Sequence, residues 1–384
     1  MRRLFFTTVC FSFSIVVAFL SATPAFAQSD ADKPEYFIGT VIEIVAEETF
    51  TDQDQNYYAQ LVKVRRQSDG EIIDLEAGSQ FQPIPESQKL SVGQQVVFAH
   101  QQITEDMPAY VFVDSYRIPV LVWLFIGFLV LVLLIARKQG AFSIIGMALS
   151  LGVLAYQIVP QILQGQNPII VSLIGCTIVA VLTVYLSHGI SQESHLALAS
   201  MMLTLLAVSL LSWVAVHFAH LAGLGSEEAY FLQFAPDANV NLQGLLLAGI
   251  MLGTLGVLDD ITIAQVSVVT QLKAAKPNID FAELYTRSLA VGKDHVASLV
   301  NTLILAYAGS SLPLFLLFTL SQNQPLWVAI NTQMIAEEVI RTLAGSIGLV
   351  LAVPLTTLAA SIFALRTPGL TPSARSAHAH HHKH

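Results

Sequence analysis

Between residues 119 and 365 the chain carries seven apolar segments, each long enough to cross a bilayer. They lie at 119–136, 141–159, 168–187, 196–222, 241–272, 294–320 and 342–365. In hydrocarbon a lone segment must satisfy its own backbone amides, so such runs fold as helices. The fourth, fifth and sixth exceed about 20 residues, so tilt or extension beyond the membrane is expected. Only 12% of the 384 residues are charged and 54% are apolar, which excludes an ordinary soluble enzyme and a disordered chain. A formal charge of −9 argues against nucleic acid as a partner. Two cysteines leave no disulfide framework.

The first 27 residues read as a cleaved signal peptide. Arg2 and Arg3 precede an apolar run from Leu4 to Leu20, and Ala25-Phe26-Ala27 forms an A-x-A site before Gln28. The rival reading is a retained first membrane helix. Cleavage removes Cys10 and leaves Cys176 as a structural thiol in an apolar segment. At the other end, residues 367–384 form a His-rich tail, read as cytoplasmic and disordered. Its histidines from His378 to His384 have metal-ligand chemistry, but a plain tail or an expression tag is the simpler reading.

Residues 28–117 differ from the rest. Strand character runs through Tyr36 to Val45, Tyr57 to Val64, Glu71 to Leu75, Gln94 to Ala99 and Tyr110 to Tyr116. Turn residues separate them, as at Ser68-Asp69-Gly70 and Ser91-Val92-Gly93. Five short strands predict a small β-rich domain, an OB-like barrel or a sandwich. It shows no catalytic constellation, and a shielding or partner-binding role is the favoured reading.

Lysines and arginines set the orientation. With the β domain outside, the loops after the first, fifth and seventh spans are cytoplasmic. They hold Arg137, Lys138, Lys273, Lys276, Arg287, Lys293, Arg366, Arg375 and Lys383, whereas the outer inter-span loops hold only Arg341. The expected location is a bacterial plasma membrane, multi-pass, with the β domain extracytoplasmic, residues 118–366 forming the bundle and the C-terminus cytoplasmic.

Polar residues within hydrocarbon are costly and mark candidate sites. Asp259 and Asp260 sit near the middle of the fifth span. Gly249, Gly253, Gly256 and Asp260 follow helical steps of four, three and four, which predicts a helix-packing seam that includes Asp260, on a face that Ser267 and Gln271 extend. Asp259 then points about 100° away. In the sixth span Asp294, Ser298 and Asn301 share a face, and Asn301 is a candidate partner for Asp260. Pro313 is expected to loosen the outer part of that span. At the seventh, Glu337 and Arg341 have the spacing of an outer ion pair. Gly345 and Gly348 continue a packing seam below it. Pro354 is a kink position where Thr356 and Thr357 can serve the freed carbonyl. His188 and His195 flank an inner loop, a weak metal pair. No P-loop, H-E-x-x-H or G-x-S-x-G is present.

On several of these segments the chain resembles the YibE/F family of bacterial membrane proteins. They are Gly253-Thr254-Leu255-Gly256-Val257-Leu258-Asp259-Asp260, Gly292-Lys293-Asp294, Asn301 to Tyr307, Gly309-Ser310-Ser311-Leu312-Pro313, and Gly345-Ser346-Ile347-Gly348 with Val353-Pro354-Leu355-Thr356. Pro160, Gly165 and Asn167-Pro168 also fit. The family pattern has one aspartate after G-x-L-G; Asp260 matches it by spacing and Asp259 departs from it. The resemblance implies a polytopic membrane protein with a β-rich leading domain, and no substrate.

Two functions stay open. One is a transporter or permease-like protein, with spans five to seven lining the pathway. Asp260 is its cation or proton site, Asn301 positions that site and Asp294 marks the inner mouth. The other is a non-transporting scaffold or sensor whose β domain binds an envelope partner. An enzyme is not expected, nor a cofactor or resident metal; the bilayer is the one certain partner, a small ion the candidate substrate.

Overall fold

The structure, a computed structural model, describes residues 35–52, 55–79, 82–104, 107–234, 240–320 and 325–366. The expected leader and the His-rich tail lie outside these residues. The chain divides into two compact units, with the boundary between Ile135 and Ala136. The polypeptide changes from strand to helix earlier, between Ser115 and Ile118.

The first unit contains six strands: β1 (Glu35–Asp52), β2 (Gln55–Arg66), β3 (Ile72–Ala77), β4 (Ile84–Pro85), β5 (Gln95–Thr104) and β6 (Met107–Ser115). β1 pairs with both β2 and β5, and β3 lies parallel to β6, so the ladder closes as β1-β2-β3-β6-β5-β1. The two-residue β4 only edges β2. This is the five-stranded OB-like barrel of the two expected alternatives, and closure leaves no long free edge. Register shifts in β1 between Val41 and Glu43 and between Ile44 and Ala46 supply the bend that closure needs.

Period-two alternation places Ile73, Leu75 and Ala77 inside and Ile72, Asp74 and Glu76 outside. Val62, Val64, Val96 and Phe98 complete the core with no exposed surface. Burying Phe98 alone contributes about 1.5–3 kcal/mol. Phe98 also stacks on Phe37 at 5.8 Å. β1 crosses the barrel so closely at Gly39 that a Cβ there would lie 2.4 Å from Val64 Cγ1 and 2.9 Å from the Arg65 carbonyl. Gln60, 2% exposed, ties the β4–β5 connection down. Its Oε1 accepts from Leu90 N at 2.8 Å, and its Nε2 donates to Glu47 at 3.0 Å.

A helical run then extends from Ile118 to Leu163, 46 residues long. That is residues enough for two crossings of the hydrocarbon, at about 20 each. It comprises α1 (Ile118–Val153), a π-helical turn (Leu154–Ile158) and α2 (Val159–Leu163). Arg137 breaks α1 with φ 48° and ψ −122°. The expected first two spans flank this break: taken as one helical run they leave six candidate membrane-crossing stretches among the described residues, and taken apart they are the first two of the seven expected segments.

The others are α3 (Pro168–His188), α4 (Gln192–Phe218), α6 (Leu242–Ala275), α7 (Phe281–Ser310) and α10 (Gln333–Arg366). Short helices α5 (Glu227–Gln233), α8 (Leu312–Leu320) and α9 (Leu326–Ile330) lie between them. Starts carry side-chain caps. Asn167 accepts from Ile169 N at 3.0 Å with Pro168 at the first turn, and Asn241 accepts from Gly244 N at 2.9 Å. The sixth span divides as expected near Pro313: α7 stops at Ser310 and α8 restarts at Leu312. α10 continues through Pro354.

α6 is the hub of the bundle, packed against α3, α4 and α10 and less extensively against α7. Cys176, Met201, Leu205, Met251, Leu255, Leu258 and Val353 form its apolar centre. Cys176 is a buried free thiol there, the structural role expected of it.

Candidate functional site

α6 carries polar groups on two opposite sides, and its covered side is the one opposite to the glycine face. The face bearing Gly249, Gly253, Gly256 and Asp260 is uncovered. A Cβ added at Gly249 or Gly256 would meet nothing within 4 Å, and one at Gly253 only the Tyr307 hydroxyl at 3.3 Å. Among the described residues these three glycines therefore form no packing seam. The covered face carries Leu255, Leu258, Thr262 and Gln265 instead.

Asp259 turns toward that covered side. It is partly buried, and its Oδ1 is shut off from solvent with no hydrogen-bond partner. The Thr183 hydroxyl on α3 faces its carboxylate and also reaches the Ala180 carbonyl at 3.3 Å. Asp260 remains exposed. One carboxylate thus looks into the α3–α6 interface while its neighbour looks out of the bundle.

The sixth-span residues do not join them. Asp294, Ser298 and Asn301 lie on an exposed side of α7, and Asn301 makes no hydrogen bond to Asp260. Asp294, His295 and Ser298 border an open hollow of about 390 Å³. The fully buried residues of α7 lie in its first part, at Leu284, Ser288 and Gly292, and Val296 and Leu299 pack partly buried against the hub.

That first part is held by a polar knot around Gln265, 2% exposed. Its Nε2 donates to the Ser288 carbonyl of α7 at 2.9 Å and to Thr357 Oγ1 of α10 at 2.7 Å. Thr357 in turn donates to the Val353 carbonyl at 2.6 Å. Thr356 Oγ1 is buried without a partner, so neither threonine serves the Val350 carbonyl that Pro354 leaves unpaired in the α-helical register.

In α10, Gly345 and Gly348 are buried, as their spacing predicted. A Cβ at Gly348 would lie 2.7 Å from Val208 Cγ2 and 3.0 Å from Thr254 Cγ2. The outer ion pair is formed differently from the sequence expectation. Arg341 Nη1 reaches Glu338 at 2.7 Å, three residues away, and not Glu337. Glu337 is 4% exposed, accepts from Gln333 at 2.9 Å, and lies against Gly225, where a Cβ would be 2.4 Å from its Oε2. The i,i+3 and i,i+4 spacings were equally available; the 221–226 loop occupies the side that Glu337 faces.

His195 Nδ1 lies 2.6 Å from the Tyr185 hydroxyl, so this histidine is engaged within the helix pair. Among the described residues no group of three or more His, Cys, Asp or Glu side chains is placed to hold a metal ion. Sequence reasoning missed Gln157 and Gln265, and missed Glu338 as the partner of Arg341. The signal was present for the two glutamines: an uncharged amide in an apolar segment demands a partner as an aspartate does.

A closed β-barrel followed by long apolar helices with buried polar contacts defines a multi-pass integral membrane protein with a β-rich leading unit. A family model described as YibE/F-like protein matches residues 124–366, and the chain belongs to that family. The match spans the helical part and leaves the barrel outside it. Comparisons with curated proteins and with solved structures returned no match.

Proposed function

We propose that the protein carries a small cation or protons across the membrane and that the Asp259–Asp260 pair is the ionisable element. The observation that supports this reading is Asp259 Oδ1: a carboxylate oxygen inside the bundle, near the centre of α6, without a partner. Such a group is retained at a cost of at least about 2.5–3.5 kcal/mol on insertion scales. A proton or cation would satisfy it, and Thr183 offers a hydroxyl oxygen beside it. Asp260, on the uncovered side, suits exchange with the exterior of the bundle. Asn301 and Asp294 have no direct part in this version. The orientation inferred from lysine and arginine placement belongs to the same proposal, with the barrel extracytoplasmic and available to an envelope partner.

The test is ion flux into proteoliposomes holding the purified protein, read with pH- and cation-sensitive dyes. Asp259→Asn should abolish flux, and Asp260→Asn should reduce it less. No flux by the wild type across protons and common monovalent and divalent cations would refute transport. A non-transporting scaffold is the second reading, favoured by the uncovered Gly249–Gly253–Gly256–Asp260 face, which suits a neighbouring protein. On that reading both asparagine variants assemble normally and change no flux.

A further inference from the structure

α7 carries two stripes along its length. On one, Leu284, Ser288 and Gly292 are buried, and Val296 and Leu299 pack partly buried against the hub. On the other, roughly opposite, Val291, Asp294, Ser298, Asn301 and Leu305 are all exposed among the described residues. Their steps are three, four, three and four, the a and d spacing of a heptad seam. α7 is the least apolar of the six candidate membrane-crossing stretches, and only the run that begins with α1 is covered less. That run exposes aliphatic and aromatic side chains, which suit lipid. The uncovered stripe of α7 instead sets a hydroxyl and a carboxamide in its apolar stretch, with a carboxylate at the inner edge. Facing lipid, each would lose the hydrogen bonds that water gave it.

The open hollow on this side of α7 repeats the pattern. It is bordered by Val291, Asp294, His295, Ser298 and Leu299. The first four stand at i, i+3, i+4 and i+7. A side chain from a parallel facing helix enters a hole framed by four residues in this way. Carboxylate, imidazole and hydroxyl groups border the hole, so the side chain that suits it forms hydrogen bonds.

We infer that a second copy of this chain packs here, α7 against α7, about a two-fold axis along the membrane normal. Copies inserted in the same orientation bring each residue to the depth of its counterpart, so the two stripes meet in register. Their chemistry is self-complementary. The Asn301 carboxamide donates and accepts, as does the Ser298 hydroxyl, so each suits its own counterpart across the axis. The Asp294 carboxylate of one copy enters the hole of the other, where the His295 imidazole offers it a donor. Val291 and Leu305 supply apolar contact at the two ends. A polar residue within such a seam selects the matching register and disfavours others. The inference is independent of Asp259, which lies against α3.

The test uses the full chain in its membrane. Ser298→Cys and Leu305→Cys, each made separately, should give a disulfide-linked dimer under a mild oxidant. Ile304→Cys and Ala306→Cys, on the flanking sides of α7, should not, nor should the wild type, whose Cys176 is buried. Energy transfer between labelled copies diluted in lipid vesicles gives the dissociation constant of the pair. Asn301→Ala should raise it about 3–20-fold, the loss expected for an interhelical hydrogen bond in a membrane. Equal cross-linking at all four positions, a monomer at every protein-to-lipid ratio, or seam cysteines that link only to a different protein would each overturn the inference. An unchanged dissociation constant for Asn301→Ala would do the same.

Discussion

Replacing Gly292 and Gly256 separately by alanine tests which side of α6 the rest of the chain covers. Glycine to alanine within a helix contributes about 0.5–1 kcal/mol of stability when nothing obstructs the new methyl group. At Gly256 nothing lies within 4 Å of the added Cβ, so Gly256→Ala should gain up to about 1 kcal/mol. At Gly292 of α7 the Cβ would lie 2.4 Å from Val353 Cγ1 and 2.7 Å from Gln265 Oε1. Overpacking of this kind costs about 1–3 kcal/mol. Displacing the Gln265 amide also weakens two hydrogen bonds, each about 0.6 kcal/mol in a membrane setting. Less the helical gain, Gly292→Ala should lose about 1–3 kcal/mol. Denaturant unfolding of the purified protein in mixed micelles, followed by tryptophan fluorescence, reads both values. The reasoning fails if Gly256→Ala loses as much stability as Gly292→Ala, because Gly256 would then be packed.

Two further outcomes follow from named contacts and a third from the proposed orientation. Arg66 grips Asp69 through Nε at 2.8 Å and Nη2 at 2.5 Å, pairs also with Glu71, and holds the Asp69 carboxyl down to about 2 from an ordinary 3.8. The folded value is the lower one, so this stabilisation is complete above about pH 4 and fades as pH falls toward 2. Asp69→Asn should flatten the acid dependence of barrel hydrogen exchange in that window. Glu337→Ala should destabilise more than Glu338→Ala, because Glu337 is 4% exposed while Glu338 joins a partly exposed ion pair worth about 0–1 kcal/mol; equal losses in the same unfolding assay would contradict the assignment. Single cysteines at Ser79 and Glu228 should label from outside intact spheroplasts and one at Asn278 only after permeabilisation. External labelling at Asn278 would invert the orientation.

The barrel was legible because its alternation is local. Ile73, Leu75 and Ala77 show their inward face in six consecutive residues. The membrane helices were legible as lengths but not as faces. In α6 the covered side carries Leu255, Leu258 and Ile261, and the uncovered side carries glycine within an equally apolar run, so no polar contrast separates them. Small residues permit close approach, but the sequence does not say to what. Gly348 meets α4 and α6 and Gly345 meets α6 and α7, whereas Gly249 and Gly256 meet nothing among the described residues. Asp259 was read as pointing off the seam because the seam was placed on the wrong side. Its true surroundings depend on Thr183, 76 residues earlier. The seven segments and six helical stretches differ in number because the first two form one helical run, broken at Arg137 where the charged Arg137-Lys138 pair separates the expected spans.

The Gln265 knot also has a consequence for how the protein is made. Its amide donates to Ser288, 23 residues on, and to Thr357, 92 residues on. At translation speeds of about 5–20 residues per second, Thr357 emerges roughly 5–20 s after Gln265. During that interval α6 is already in the bilayer, with half of its polar pairing still on the ribosome. The nascent bundle therefore cannot lock from its N-terminal end. α10, the last of the described helices, completes the hub, and an interruption of synthesis before Thr357 leaves Gln265 without that partner.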